Sequence, residues 1–592
     1  MAKKIKLSDY VANFLSKISD FAFVGHGSSV VHILDSIDKN KGITNISSQN
    51  EQGASLAADA YTRSSGKIGI SIATSGPGII NLLQGIGCSY FDSIPHFIIS
   101  GAVPTNNMRD NKKIRQVGFQ EMEVVDIVKP LTKYAVLLKK STDIRYELEK
   151  MLYICKSGRP GPVLIDIPDN LQRDLIDPEK IKSFKIKNNK IKQPSISNDK
   201  IIKLNKYIKN SKQPLIIIGN GGNQYKKEIY NFIKKINIPF LLTWGSYDMF
   251  SHTNKYFLGT FGVAATRYGN FTVQNSDLII CLGTRLSYQL TGANKNTFAP
   301  NAKKVIIDID NYEIKKKNSV KIDLSFNNDI GFFLSSINKK VTSYKKNKFT
   351  NWIKFSKSLI KKYPIYQEKY FLEKNFVNPY VFFKKFSQIS SNKDILIPDA
   401  SANLIWAYQT LEPKLGQKIF TALNHSPMGY SIAASVGAKL YMNKEKIKGN
   451  VVAFIGDGSV GMNVQELETI SYNKLNIKIF ILNNNGYGLI KGTLELFLSK
   501  NYVGVDPESG LGIQDFKKMA YSYDIPYVEI KNHKNIVQKI SNVLNAKTPV
   551  ICNLIVNPNQ RVIPKLSSGN PIHVMSPYLK QEELLKNLKF KK

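Results

Sequence analysis

The sequence predicts an α/β protein made of three successive doubly wound parallel-sheet domains, and three observations carry that expectation. Short runs rich in Ile, Val and Phe, among them Ile68 to Thr74, Leu278 to Leu282 and Val451 to Ile455, alternate with stretches of helical period. These runs break at their carboxyl ends into Gly, Asp or Ser, where parallel sheets gather their ligands. Two polar, Lys-rich stretches, 181–194 and 341–362, interrupt the pattern as connectors. At 592 residues the chain is long enough for about three or four domains. The expected division is 1–188, 195–340 and 370–560, with a lid or tail over 561–592.

In the first length, Phe21 to Val24 reads as a strand opening into Gly25-His26-Gly27. A second strand, ending at Ser47, leads through Asn50-Glu51-Gln52-Gly53 into an Ala-rich helix. The run ending at Thr74 closes on Ser75-Gly76-Pro77-Gly78, and further strands are expected at His96 to Ser100 and Val163 to Ile167. Glu51 falls at a strand-to-helix junction, where a glutamate on its own complements the helix dipole.

The middle length opens with a strand from Pro214 to Ile218 and a glycine turn, Gly219-Asn220-Gly221-Gly222. A later strand, Lys304 to Ile307, runs into Asp308-Ile309-Asp310. A glycine turn at Gly221 and an acidic strand end at Asp308 and Asp310 suggest a dinucleotide site. GxGxxG is absent, which argues against a simple NAD domain.

The last length carries the strongest motif. Val451 to Ile455 breaks into Gly456-Asp457-Gly458-Ser459, a helix-like segment follows, and a second apolar run from Ile477 breaks into Asn483-Asn484. This is a βαβ unit that sets Asp457 and Asn484 side by side at one sheet edge. A carboxylate and an amide carbonyl are hard oxygen ligands suited to Mg²⁺, and the glycines let the backbone approach a phosphate closely.

Asp457 and Asn484 at this spacing resemble the signature of thiamine diphosphate enzymes. NEQGASLAADAYTRSSGKIGISIATSGPG, FQEMEVVDIVKPLTKYA, GRPGPVLIDIP and LGTFGVAATRYGNFTVQNSDLIICLGTRLS are similar to acetolactate synthase-like members, and the likeness extends over roughly Leu7 to Pro564. The resemblance implies pyrimidine-binding, central and diphosphate-binding domains, with Asp457, the Asn484 side chain and the Gly486 carbonyl holding Mg²⁺. Ser459 and the turn through Ser401 and Asn403 would meet the diphosphate beside Gly456 and Gly458. Met428 would wedge beneath the cofactor. Glu51 would hydrogen-bond the aminopyrimidine ring, favouring the imino tautomer that takes the proton from the thiazolium, which asks for a desolvated, aligned carboxylate.

Phe119, Gln120 and Lys133 match family positions lining the substrate channel. Lys133 would attract a 2-oxo acid carboxylate or be an exposed lysine in a lysine-rich chain, and His26 would be a proton-transfer group or a turn residue. On the same resemblance Arg285, Asp308 and Asp310 would contact FAD. The chain departs from the family at Asn50, Thr260, Leu286-Ser287 and Thr493, the last standing where those enzymes place a Trp in the acceptor pocket.

The implied activity is decarboxylation of a 2-oxo acid, pyruvate first, with addition of the two-carbon unit to a carbonyl acceptor. Alternatives are transfer to another acceptor such as a keto-sugar, simple 2-oxo acid decarboxylation, and a non-catalytic thiamine diphosphate-binding subunit. In the family the cofactor lies between two chains, which implies a homodimer or homotetramer.

The bulk composition agrees. Hydrophobic residues at 42% and charged residues at 22% are those of an ordinary globular protein. The net charge of +38 comes from lysines spread along the whole length, with no basic block interleaved with aromatics, so nucleic-acid binding is not expected. Cys88, Cys155, Cys281 and Cys552 have no CxxC spacing and indicate neither a disulfide framework nor zinc. The amino terminus lacks a long apolar core and no run approaches a membrane span, so a cytoplasmic protein is expected.

Overall fold

The computed structural model describes residues 4–185 and 193–589, so the centre of the first connector lies outside them. Three six-stranded sheets follow one another along the chain. The first is built from β1 (Phe21–Val24), β2 (Thr44–Ser47), β3 (Gly69–Ala73), β4 (His96–Ala102), β5 (Tyr134–Leu137) and β6 (Pro162–Pro168), in the order β2-β1-β3-β4-β6-β5. The second holds β7 (Pro214–Ile218), β8 (Phe240–Leu242), β9 (Phe257–Thr260), β10 (Leu278–Leu282), β11 (Lys303–Asp308) and β12 (Leu324–Asn327), in the order β9-β8-β7-β10-β11-β12. The third holds β13 (Ile395–Pro398), β14 (Lys418–Ile419), β15 (Val451–Gly456), β16 (Ile477–Asn483), β17 (Tyr527–Ile530) and β18 (Val550–Ile555), in the order β14-β13-β15-β16-β18-β17.

Neighbouring strands in all three sheets are parallel. The expected architecture is therefore the observed one. Counted within each domain, the first and third sheets share the order 2-1-3-4-6-5, while the central sheet has the 3-2-1-4-5-6 order of dinucleotide-binding folds. The inner strands β3, β7, β10 and β13 are buried along their whole length, as parallel strands covered on both faces must be.

The first and third domains share one apolar core, in which Ala57 and Tyr61 lie with Ala433, Val436 and Ala438. Three helices meet there: α1 (Glu51–Ser65), α2 (Pro77–Asp92) and α3 (Tyr430–Lys444). Small residues let α1 and α3 touch through their backbones. A Cβ on Gly437 would come within 2.0 Å of the Ala57 carbonyl oxygen.

Beside that contact lies a buried knot of charge. The Arg63 guanidinium donates to Asp59 Oδ2 at 2.7 Å and to the Thr421 carbonyl at 3.0 Å, and its other arm meets Asp92 Oδ2 at 2.9 Å. Tyr430 donates to Asp59 Oδ2 at 2.7 Å. Burial works against the arginine's charge, but Asp59, Tyr430 and Asp92 outweigh it and hold its pKa above the ordinary value.

The tail packs against the central domain. Leu566 and Ile572 pack into the core of the central domain. Asn270 donates to the Ile572 carbonyl at 2.7 Å and Arg267 to the Pro577 carbonyl at 2.6 Å. All four cysteines are buried free thiols. Among the described residues no helix is long and apolar enough to cross a membrane.

Candidate active site

β15 and β16 are in register from Val451 opposite Ile477 to Gly456 opposite Leu482, so the two strands end level. Their ends carry Asp457 and Asn484. Asn484 Oδ1 lies 3.0 Å from the Gly486 carbonyl oxygen and 3.3 Å from Asp457 Oδ1. Three acceptor oxygens thus face one another with no donor between them. Rotating the amide would relieve this with hydrogen bonds, but a hard divalent cation would relieve it too, and oxygen ligands of this kind are what Mg²⁺ takes. The set has a single carboxylate, and among the described residues no cluster of three His, Cys, Asp or Glu side chains competes with it.

Asp457 is held firmly. Its Oδ2 accepts the Gly486 N–H at 2.8 Å and its Oδ1 the Gly458 N–H at 2.9 Å. Burial pushes its carboxyl up to about 6, against the pull of those N–H groups. Gly486 is a glycine for two reasons: its φ is +139°, and a Cβ would come within 2.1 Å of the Val505 carbonyl oxygen. Ser459, in the helical turn Asp457–Val460, is buried beside the same edge.

The neighbouring strand β13 is followed at once by Asp399, which is fully buried and pushed up to about 6 by burial. It accepts the Gly429 N–H at 3.0 Å and the Ser431 N–H at 2.8 Å, fixing the turn that presents half-buried Met428. Ser401, at φ +79°, turns the chain into the helix Ala402–Thr410. Asn403 donates to the Phe454 carbonyl at 2.8 Å and leaves its buried Oδ1 without a protein partner. The strap before Met428 is tied to the first domain by Asp92, which accepts Leu423 N–H at 2.9 Å and Asn424 N–H at 3.2 Å.

In the first domain Glu51 is the first residue of α1, and its Oε2 accepts Asn81 Nδ2 at 2.9 Å. Asn50 caps the helix by accepting Gln52 N–H at 2.8 Å. Gln120, at φ +61°, sits over the turn at Gly76, one of whose neighbours, Gly78, faces Glu51. Phe119 is 81% exposed, and His26 Nε2 lies 3.0 Å from Ser47 Oγ at the same edge.

Lys133, expected in the substrate channel, does not reach this edge. It precedes β5, its N–H pairs with the Pro162 carbonyl at the start of β6, and its ammonium donates to the carbonyls of Ile154 and Ser157. It lies at the amino ends of the strands, opposite the site.

The central residues expected at a flavin are engaged with one another and with the other domains. Gly221 lies against Gly283, where a Cβ would come within 3.0 Å of Gly283 Cα. Arg285 pairs with Glu313 at 3.5 Å and donates to Asn424 at 2.6 Å. Asp310 accepts Tyr312 N–H at 2.9 Å and pairs with Arg159 of the first domain at 3.2 Å. Asp308 takes the Asp310 N–H at 2.9 Å. These groups serve the junction between domains.

Sequence reasoning passed over Asp399, Asp92, Asn463 and Glu466. The only signal for Asp399 was an acid closing a buried apolar strand. The other three act across domain boundaries.

Acceptor oxygens of the kind a divalent cation takes and backbone donors thus lie at one sheet edge, with a lone carboxylate starting a helix in a matching domain. Three family models match in succession: thiamine pyrophosphate enzyme, N-terminal TPP binding domain, at residues 5–127; central domain, at 201–337; and C-terminal TPP binding domain, at 399–554. The chain is 30% identical over 576 residues to an acetolactate synthase large subunit of Cyanidium caldarium, covering 95% of this chain and 94% of that one. It is 28% identical over 557 residues to acetolactate synthase 2, chloroplastic, of Nicotiana tabacum, covering 93% and 81%. A large subunit of Porphyra purpurea is 29% identical over 562 residues, covering 92% and 90%. The chain belongs to the thiamine pyrophosphate enzyme family, among its acetolactate synthase-like members.

Proposed function

We infer that this enzyme decarboxylates pyruvate and adds the two-carbon unit to a second carbonyl compound, as an acetolactate synthase does. The observation that carries the reading is the convergence of Asn484 Oδ1, the Gly486 carbonyl and Asp457 Oδ1, which suits Mg²⁺ shared with a diphosphate. When bound, thiamine diphosphate supplies a carbon nucleophile and an electron sink. The chain's own part is to hold and aim. Asp457, Asn484 and Gly486 hold the cation. Ser459 and Asn403, whose buried Oδ1 is free, offer polar groups at the same edge. Asp399 fixes the Met428 turn, and Glu51 holds a proton at the pyrimidine ring.

Glu51 and the metal residues belong to different domains, and a homodimer or homotetramer in which each site draws on two chains fits that division. Four free thiols suit a reducing compartment such as the cytoplasm.

Transfer to a different acceptor, such as a keto-sugar, is a second reading. It is favoured by the helix that follows the metal loop, Gly488–Phe497, where no residue is fully buried and Thr493 turns its hydroxyl back to the Leu489 carbonyl at 3.1 Å. The test supplies pyruvate, thiamine diphosphate and Mg²⁺ with a panel of acceptors, followed by mass spectrometry of the products. Acetolactate from pyruvate alone supports the first reading. Product only with a sugar or aldehyde supports the second.

A further inference from the structure

One buried carboxyl group has no part in the chemistry above. Glu466 opens α4 (Glu466–Tyr472) in the third domain, is 1% exposed, and makes no ion pair among the described residues. Its Oε1 accepts the backbone N–H of Asn50 at 3.1 Å, across 416 positions of sequence. Its Oε2 accepts the Thr469 hydroxyl at 2.8 Å. Asn50 is the cap of α1 and stands immediately before Glu51. A Cβ on Gly53 would come within 2.2 Å of Glu466 Oε1, so the carboxyl lies flat against the first turn of α1 and only glycine leaves it room. The N–H groups of such a turn lack partners within the helix and carry the positive end of its dipole, which an oxygen acceptor satisfies. Burial pushes the Glu466 carboxyl up to about 7, as expected of a group kept from water by packing.

We propose that Glu466 is a positioning residue: from the third domain it clamps the start of α1 and thereby aims the Glu51 side chain at the cofactor's pyrimidine ring. The proposal rests on the reading of Glu51 given above. α1 does not depend on the clamp to form, because Asn50 already caps it through Gln52. What the clamp sets is the placement of the first turn, and reacting groups misplaced by about 1 Å can lose about 100-fold in rate.

Four variants test this: Glu466→Ala, Glu466→Gln, Gly53→Ala and Glu51→Gln. The measurements are kcat, its pH profile, the Kd for thiamine diphosphate with Mg²⁺ by fluorescence titration, and the Tm of the cofactor-free protein. Glu466→Ala removes the acceptor and Gly53→Ala displaces it. Each lowers kcat by about tenfold or more while Kd stays within about twofold. Glu466→Gln keeps an acceptor for Asn50, and its amide can donate to Thr469, so its kcat stays within about twofold and its pH profile superposes on the parent's. Parent-like kcat in Glu466→Ala overturns the proposal. So does an equal loss in Glu466→Gln, or a lost limb of its pH profile, either of which would make the carboxyl a proton-transfer group. If Glu466→Ala does not fold, Gly53→Ala and Glu466→Gln decide. Glu51→Gln separates the two levels. Turnover retained there removes the reading of Glu51 itself, whereas an inactive Glu51→Gln beside a fully active Glu466→Ala removes only the clamp.

Discussion

Asp92→Asn probes the joint that carries Met428. The carboxylate of Asp92 receives four N–H contacts: Leu423 N at 2.9 Å and the Arg63 guanidinium at 2.9 Å on Oδ2, and Asn424 N at 3.2 Å and Asn424 Nδ2 at 2.5 Å on Oδ1. An asparagine has the same shape but only one acceptor oxygen. Whichever way it turns, its NH₂ faces two donors. Two donors left unsatisfied at this half-buried joint cost up to about 1–3 kcal/mol each. Breaking a buried ion pair from one side costs about 3–5 kcal/mol, so about 4 kcal/mol is expected. Unfolding entropy of about 2.1 cal/mol/K per residue over 592 residues gives about 1.2 kcal/mol per degree, hence a fall of about 3 °C in Tm. The strap from Leu423 to Met428 loosens at the same time. If about 1 kcal/mol of the loss falls on the cofactor-bound form, the Kd for thiamine diphosphate rises about fivefold. Calorimetry with and without cofactor and Mg²⁺ measures both. Asp126→Asn, which disturbs an exposed pair with Lys112, is the control and changes neither. A Tm within about 1 °C of the parent, with unchanged affinity, would refute the reasoning.

Glu51→Gln should bind thiamine diphosphate normally and lose about 10²–10⁴ in kcat, the range of general acid–base assistance; near-parental turnover contradicts the assigned role. Asp457→Asn removes the only carboxylate of the cation set, so added Mg²⁺ should restore activity to the EDTA-stripped parent but not to this variant. Lys133→Met should leave kcat/KM for the 2-oxo acid within about twofold, because its ammonium is spent on backbone carbonyls far from the site; a specific loss of 2-oxo acid affinity would return Lys133 to the channel. Asp166 is buried, accepts from Ser100 at 2.6 Å, and is pushed up to about 6 by burial. A folded pKa above the unfolded value of 3.8 means that stability present at low pH is lost as pH rises through about 4 to 6. Asp166→Asn should therefore raise stability at pH 8 by up to about 3 kcal/mol and flatten that dependence in denaturant titrations. A variant less stable than the parent at pH 8 would show that the charge is compensated.

The three sheets were legible because parallel strands are written as short apolar runs that end abruptly in small or polar residues. Phe454-Ile455 before Gly456 and Ile481-Leu482 before Asn483 are such endings, and the cation oxygens lie just beyond them. Lys133 was misplaced for the complementary reason. Nothing in its neighbourhood indicated that a strand starts, rather than ends, beside it. Asp308 and Asp310 read as an acidic strand end, but Glu313, Arg159 and Asn424, which meet Asp310 and Arg285, come from other segments, two of them from other domains. Glu466 and Asn50 are a contact of the same kind. Local pattern reports which face of an element is buried and not which distant polar group meets it there.

The repeated strand order explains how one architecture supplies two unlike turns. In the first domain the turn after the second strand ends in Glu51 and starts α1; in the third the turn after the second strand carries Met428 and starts α3. The third strands end in Gly76-Pro77 in one domain and Asp457 in the other, and only the third domain adds Asn484 after its fourth strand to complete an oxygen set for a cation. The two equivalent helices then pack on each other where Gly437 meets Ala57. This brings the corresponding turns within reach of a single side chain. Asn463 accepts Gln52 Nε2 at 3.3 Å and donates to the Gly429 carbonyl at 3.2 Å. The residue after Glu51 and the residue after Met428 are thus joined through one buried amide. A displacement of either turn must be felt by the other, so the turns that carry Glu51 and Met428 are set as a pair.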